Sequence, residues 1–468
     1  MELSRRQLLW NSAWVGVGFA ALQACLGQSE GPPPDDPELV ADPAGLLDLP
    51  PGFHHEVLSR TGDRMSDGLR VPGRPDGMGT FSGPGSRVLL VRNHELDLGD
   101  PEQSAFAGHA SPLGDLDATQ LYDAGHGTTP GPGGTTTLVY DPTAQRAELQ
   151  FLSLAGTYRN CAGGVMPWGS WISCEETVTR AGGARERDHG YCFEVPASAR
   201  PGLVPPVPLR EMGRFNHEAV AASRRGDVLY LTEDRPDGLL YRFLPEVPGQ
   251  LLRGGRLQAL KLIDQAQADT RNWTKLGISP GERVAVTWVD LEHVDRPDDD
   301  LRYVGFGDGG AAVFARGEGL WPGHDEIYFS CTSGGAARMG QIWRYRPSPL
   351  EGRDGERSRP PSLELLVEVV DRAKLKSPDN LTVAPWGDLL VCEDGGGDNR
   401  LLRIDPAGRL HLFARNVFND SELAGVCFSP EGRTLFVNIQ DPGLTLAIQG
   451  PWPRASRPGL LERVLRGI

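Results

Sequence analysis

Short apolar runs that stop on polar or acidic residues recur along this chain, while the 3.6-residue spacing of an amphipathic helix is scarce. Six copies share one order: a turn residue, a short apolar strand with a polar or acidic end, a loop, and a second short strand closing on proline. The first strands lie in Gly85–Glu95, Gly169–Glu176, Gly226–Asp234, Asp325–Ser333, Gly387–Asp394 and Gly432–Asp441. The closing strands are Leu138–Pro142, Tyr191–Pro196, Leu240–Pro245, Ile342–Pro347, Leu401–Pro406 and Leu446–Pro451. Repetition of such a unit predicts radial arrays of small antiparallel sheets, an all-β six-bladed β-propeller with its site at the central channel. A β-sandwich is the alternative, and the strand-then-proline order in each copy favours the ring. The 60 Gly and 39 Pro argue against long helices.

At 468 residues the chain fits one large all-β domain. Its net charge of −15 argues against nucleic acid, whose phosphates need a basic surface, and favours cation binding. Residues 1–25 read as an export signal: Ser4-Arg5-Arg6-Gln7-Leu8-Leu9 has the twin-arginine pattern, followed by a moderately apolar run from Trp10 to Leu22 too short to span a bilayer. Leu22-Gln23-Ala24-Cys25 resembles a lipoprotein cleavage box, the alternative being an ordinary signal cut nearby. Residues 26–45 read as a flexible tether and 46–468 as the propeller. The expected route is the twin-arginine machinery, ending in the periplasm, at the outer membrane through a lipidated Cys25, or outside the cell. A closed ring of blades is expected to stand alone as a monomer.

The chemistry concentrates in Asn160-Cys-Ala-Gly-Gly-Val-Met-Pro-Trp-Gly-Ser-Trp-Ile-Ser-Cys-Glu-Glu176. Acidic strand ends recur at Glu175-Glu176, Glu233-Asp234 and Glu393-Asp394, and carboxylates gathered at one channel repel unless hard cations neutralise them. Cys161, between Asn160 and a glycine-rich turn, suits a softer metal. The six cysteines after Cys25 show no small-domain disulfide spacing, and Cys392 and Cys427 read as buried strand residues. In Asn93-His94-Glu95 and Asn216-His217-Glu218 the Glu is favoured over the His as ligand, because neighbours on a strand face opposite ways. Asp379 and Asn380 either donate to calcium or form an Asx turn. The loop His293–Asp300 is either a solvated charged loop or one holding Arg296 to grip phosphate, and Arg316-Gly317-Glu318 is a further candidate.

These residues resemble the PhoX family of bacterial alkaline phosphatases, through Val91–Glu95, Asn160–Gly164, Pro167–Trp171, Cys174–Glu176, Phe215–Ala219, Asp295–Pro297 and Asp379–Leu381. The resemblance implies a propeller with a cluster of Fe3+ and Ca2+ that hydrolyses phosphomonoesters. It implies Cys161 and Glu218 as iron ligands, Glu95 and Glu176 as cluster carboxylates, and Arg296 as the contact to the substrate phosphate. It also implies a metal carboxylate at Asp298, one methylene shorter than the family's glutamate, with Glu318 as the substitute; Asp379 and Asn380 fall in the matching Asp-Asn-Leu motif. A metal-bound oxygen is then the expected nucleophile, and no Gly-x-Ser-x-Gly elbow is present. Two other readings remain: a calcium-dependent lactonase or esterase on the same scaffold, and a non-catalytic propeller stabilised by calcium.

Overall fold

A computed structural model describes residues 38–109, 116–296 and 298–453. The export signal, Cys25 and most of the tether therefore lie outside the described residues. From residue 38 onward the chain is packed: the Asp42 carboxylate accepts the N–H groups of Ala44, Leu46 and Leu47 and meets His55 Nε2 at 2.9 Å.

The fold is all-β and propeller-like, with short antiparallel strands and, among the described residues, a single α-helix, Leu301–Gly307. All six repeat copies form adjacent antiparallel strands. They are Val88–His94 with Gly133–Asp141, Ser170–Glu175 with Cys192–Pro196, Leu229–Glu233 with Leu240–Pro245, Ile327–Cys331 with Gln341–Arg346, Leu389–Glu393 with Arg400–Ile404, and Thr434–Ile439 with Leu444–Gln449. Beside each pair lies an inner strand that the repeat did not contain: Pro75–Ser82, Asn160–Val165, His217–Ala222, Gly317–Pro322, Pro378–Val383 and Leu423–Phe428. Each inner strand packs on the next, and the last packs on the first, so the six form a closed ring.

The hydrogen-bonded sheets number five, of five, nine, four, four and three strands, not the six separate blades expected. The difference has one cause. Arg283–Asp290 pairs with Gly255–Leu262 on one side and Ser362–Glu368 on the other, fusing two four-stranded units. Near the N-terminus, His54–Arg60 pairs with Leu444–Gln449 and Leu47–Asp48 with Leu410–Asn416. Early residues thus complete late sheets and tie the ring shut, which removes free sheet edges.

The inner strands are buried and pack backbone against backbone. A β-carbon added at Gly164 would lie 1.9 Å from the Val220 carbonyl oxygen, so only glycine fits there. Between the inner strands the axis is nearly filled, leaving a void of about 20 Å³ lined by Gly77, Ala162, Ala219, Gly319 and Gly425. That volume holds at most one water. The inner strands thus nearly close the channel at this level.

Candidate metal centre

Every inner strand has its pairing interrupted at the same place: between Pro75 and Met78, Asn160 and Gly163, His217 and Val220, Gly317 and Leu320, Pro378 and Leu381, and Ala424 and Cys427. A β-bulge inserts one unpaired residue and re-aims its side chain. The residues entering these bulges are Asp76, Cys161, Glu218, Glu318, Asp379 and Gly425. Five bulges therefore carry an oxygen or sulfur donor. The sixth cannot: Gly425 has φ of 66°, and a β-carbon there would lie 2.2 Å from the Asp76 carbonyl oxygen.

A second tier follows the neighbouring strands. The N–H groups of Glu95, Glu176, Asp234, Thr332, Asp394 and Gln440 donate to the carbonyls of Arg74, Arg159, Asn216, Arg316, Ser377 and Glu422 respectively, at 2.9–3.2 Å. Arg74, Arg159, Arg316 and Ser377 hold left-handed φ angles between 42° and 56°. Non-glycine residues keep such backbone only where their surroundings impose it.

The two tiers meet in three groups whose donor atoms lie within 4.8 Å of one another: Asp76, Glu95 and Cys161; Cys161, Glu176 and Glu218; and Glu218, Glu318 and Asp379. Glu218 is 0% exposed, and neither of its carboxylate oxygens has a hydrogen-bond partner; Asp76 Oδ1 lacks one too. A buried carboxylate without partners is severely penalised. Burial, then Glu318, Asp379 and other neighbouring acids, pushes Glu218 well above the usual carboxylate range. Burial does the same to the Cys161 thiol, reinforced by Asp76 and Glu218, and it raises Asp379 to about 8. Hard cations would reverse all these penalties at once, so the donor set fits a polynuclear metal site.

Two arginines reach into the acids. Arg316 donates from Nε and Nη2 to the two oxygens of Asp234 at 2.8 and 2.9 Å, and Nη2 also lies 2.8 Å from Glu318 Oε1. Arg159 Nη2 lies 2.7 Å from Glu95 Oε1 and also binds Glu176.

In each acidic pair the first member turns away from the mouth, as alternation along a strand requires. Glu175 accepts the N–H groups of Tyr158, Gly190 and Tyr191; Glu233 accepts from Leu239 N–H and the Tyr241 hydroxyl; Glu393 accepts from Lys376 and Arg400. His94 and His217 likewise serve the framework, through Gly73 O and Thr136 for the former and Gly213 O for the latter.

Behind Glu176 stands a buried ion triad. His189 meets Glu175 Oε1 at 2.6 Å and Asp123 Oδ2 at 3.1 Å, all three side chains fully buried. Burial alone would lower the His189 pKa, but the Glu175 charge and the Asp123 hydrogen bond outweigh it and raise it to about 9. Its folded value exceeds its unfolded one, so its stabilisation is complete below pH ~6.5 and lost as pH rises through about 9. His189→Ala strands two buried carboxylates and should cost about 3–5 kcal/mol in urea unfolding at pH 6.

Of the residues expected from the sequence, Glu95, Cys161, Glu176, Glu218, Glu318 and Asp379 come together. Three do not join them. Asp298 is exposed and pairs with Arg180, while its neighbour Asp299 takes the contacts to Asn216 and Arg235. Asn380 has its oxygen occupied by the Gly425 N–H at 2.5 Å, so it links two inner strands. Arg296 pairs with Asp300 at 3.4 Å, and Arg159 and Arg316 hold the cluster instead. Asp76 and Arg159 escaped sequence reasoning. A shared spacing of arginine two residues before a donor would have found them: Arg74-Pro-Asp76, Arg159-Asn-Cys161 and Arg316-Gly-Glu318.

Against this geometry stand the known proteins. The family described as "Alkaline phosphatase PhoX" matches residues 35–443. Pseudomonas fluorescens PhoX, solved in complex with vanadate as a transition state analogue, is 19% identical over 89% of this chain and 97% of its own, with a TM-score of 0.63. A gluconolactonase from Xanthomonas campestris is 13% identical over 85% of this chain and 98% of its own, with a TM-score of 0.36. No curated protein matches the chain.

Proposed function

We propose, for a chain that belongs to the alkaline phosphatase PhoX family, that the central cluster binds several cations and hydrolyses phosphomonoesters at the channel mouth. The observation that carries this reading is Glu218, a buried carboxylate shared by two ligand groups with both oxygens unpartnered. Cys161 belongs to two of the groups and its sulfur suits iron; the all-carboxylate group Glu218, Glu318 and Asp379 suits calcium. When bound, such cations supply Lewis-acid neutralisation of the transferring phosphoryl group and activate the attacking water. A calcium-only lactonase would leave the Cys161 thiol without a purpose.

The chain's own residues supply positioning and charge. Arg316 is locked on Asp234 and Glu318 through Nε and Nη2, while its Nη1 makes no hydrogen bond among the described residues. That donor is available to a phosphate oxygen, and the two carboxylates fix its direction, which suits a group that stabilises charge developing on the phosphoryl oxygens. Arg159 offers a second cation across the mouth, oriented by Glu95 and Glu176. Below it the inner strands nearly fill the axis, so among the described residues the mouth is the open side of the cluster.

We read the nine-stranded sheet as two blades bridged by Arg283–Asp290, which gives six in all; the ring of six inner strands supports this count. We also propose export by the twin-arginine route, on the Arg5-Arg6 pattern. The test of function is turnover of p-nitrophenyl phosphate at alkaline pH with iron and calcium supplied. Arg316→Ala should lower kcat/KM by roughly 10²–10³-fold. No turnover by the wild-type protein loaded with both metals would refute the reading.

A further inference from the structure

A second constellation lies on the rim beside Arg316. The segment Arg271–Trp273 spans the two fused units of the nine-stranded sheet at the mouth. Arg271 Nη1 donates to the Pro236 carbonyl, two residues beyond Asp234, and the Trp273 indole N–H donates to the Ser333 carbonyl at 2.6 Å, one residue beyond Thr332. Thr332 in turn donates to Glu318 at 3.0 Å, so this segment is anchored one residue from a group that touches the cluster.

The segment is rigid. Asn272, at φ of 57°, is buried and its side chain bonds Gly277 N–H, the Ile278 carbonyl and Glu368, which closes the loop after Trp273. Two guanidinium groups lie over the indole, Arg271 at 4.3 Å and Arg338 at 4.4 Å from the ring centre. Their states differ. Arg271 is consumed, with Nε and Nη2 on the two oxygens of Asp269. Arg338 is exposed and has no carboxylate partner among the described residues, although the protein carries a net charge of −15. Its turn is fixed, since Gly335 N–H donates to the Arg271 carbonyl and Arg338 N–H to the Gly335 carbonyl. Stacking uses the face of a guanidinium and leaves its edge N–H donors free to bind an anion in a planar fork.

We propose that Trp273 and Arg338 form the leaving-group subsite of the phosphatase site, selecting phosphomonoesters whose organic part carries a second anionic group such as phosphate or carboxylate. This rests on the phosphatase reading above. The indole is the shelf, Arg271 braces it, and Arg338 is the ligand.

The test compares fructose 1,6-bisphosphate with p-nitrophenyl phosphate as substrates of the metal-loaded protein. Arg338→Ala should reduce the ratio of the two kcat/KM values (bisphosphate over nitrophenyl) roughly tenfold, through KM for the bisphosphate, as expected for one charge-assisted contact. Arg338→Lys should restore part of the ratio, and Trp273→Leu should reproduce the loss because the fork loses its shelf. A ratio unmoved by Arg338→Ala, with nitrophenyl phosphate still turned over, would overturn the subsite alone. Wild-type protein inert toward both compounds would remove the phosphatase reading and the subsite with it.

Discussion

Glu218→Gln is expected to reduce phosphomonoesterase turnover by at least about 10³-fold, the largest single-residue effect in this protein. Glu218 enters two of the three ligand groups, one with Cys161 and Glu176, the other with Glu318 and Asp379. Loss of its charge therefore undermines two cation positions together. Its oxygens bond nothing else, so the change should spare the framework: metal-free Glu218→Gln should melt no lower than metal-free wild type. Asp298→Asn is the contrasting variant. Asp298 pairs with Arg180 at the surface, and its replacement should leave kcat within about twofold. Equal losses in the two variants would mean that the catalytic carboxylates have been misidentified.

Stripping the cations should expose the cost of this acid cluster, and the cost should grow with pH. Asp379 ionises at about 8 in the folded protein against an ordinary value of 3.8, and Asp76, Glu95, Glu176, Glu218 and Glu318 are all raised as well, by burial first and by one another next. A folded value above the unfolded one means stability that is complete below pH ~4 and lost as pH rises through the folded value. Chelated protein should therefore melt progressively lower between pH ~5 and ~8.5, while protein with iron and calcium escapes this loss. At pH 8 the loaded form should melt at least ~10 °C above the chelated one, since a ligand bound only by the folded state stabilises by mass action. His189 adds a smaller loss in the same direction between pH ~6.5 and about 9, in loaded and chelated protein alike.

The outer architecture was legible in the chain because outer strands alternate and end on proline or acid, patterns that repeat in sequence. The six repeat copies fell on six antiparallel pairs for this reason. The inner strands were harder to read. They are buried on both faces, so alternation vanishes, and segments such as Asn160-Cys-Ala-Gly-Gly-Val165 look like turns. The fusion into nine strands depends on Arg283–Asp290 pairing beyond its own unit, a long-range choice that no local pattern encodes.

The site was read in part for a similar reason. Carboxylates at strand ends announced the second tier, and Cys161, Glu218, Glu318 and Asp379 of the first tier were singled out too. Asp76 was not, because a bulge leaves little trace in sequence beyond a small residue such as Gly77 after the donor. The pairs Glu175-Glu176, Glu233-Asp234 and Glu393-Asp394 proved to divide their work, one acid holding its own sheet and one facing the mouth. The family resemblance implied Arg296 as a phosphate contact, whereas composition favoured a solvated charged loop. The pairing of Arg296 with Asp300 reflects how that loop folds, which its run of charges leaves undetermined; Arg316, just before an inner strand, clamps Asp234 and Glu318.

The most direct measurement is elemental analysis of the purified protein and of Glu218→Gln and Cys161→Ser, each paired with turnover of p-nitrophenyl phosphate. Iron and calcium should accompany active wild-type protein, iron should fall in Cys161→Ser, and both metals should fall in Glu218→Gln together with activity. Wild-type protein that is fully active with neither metal bound would contradict the account.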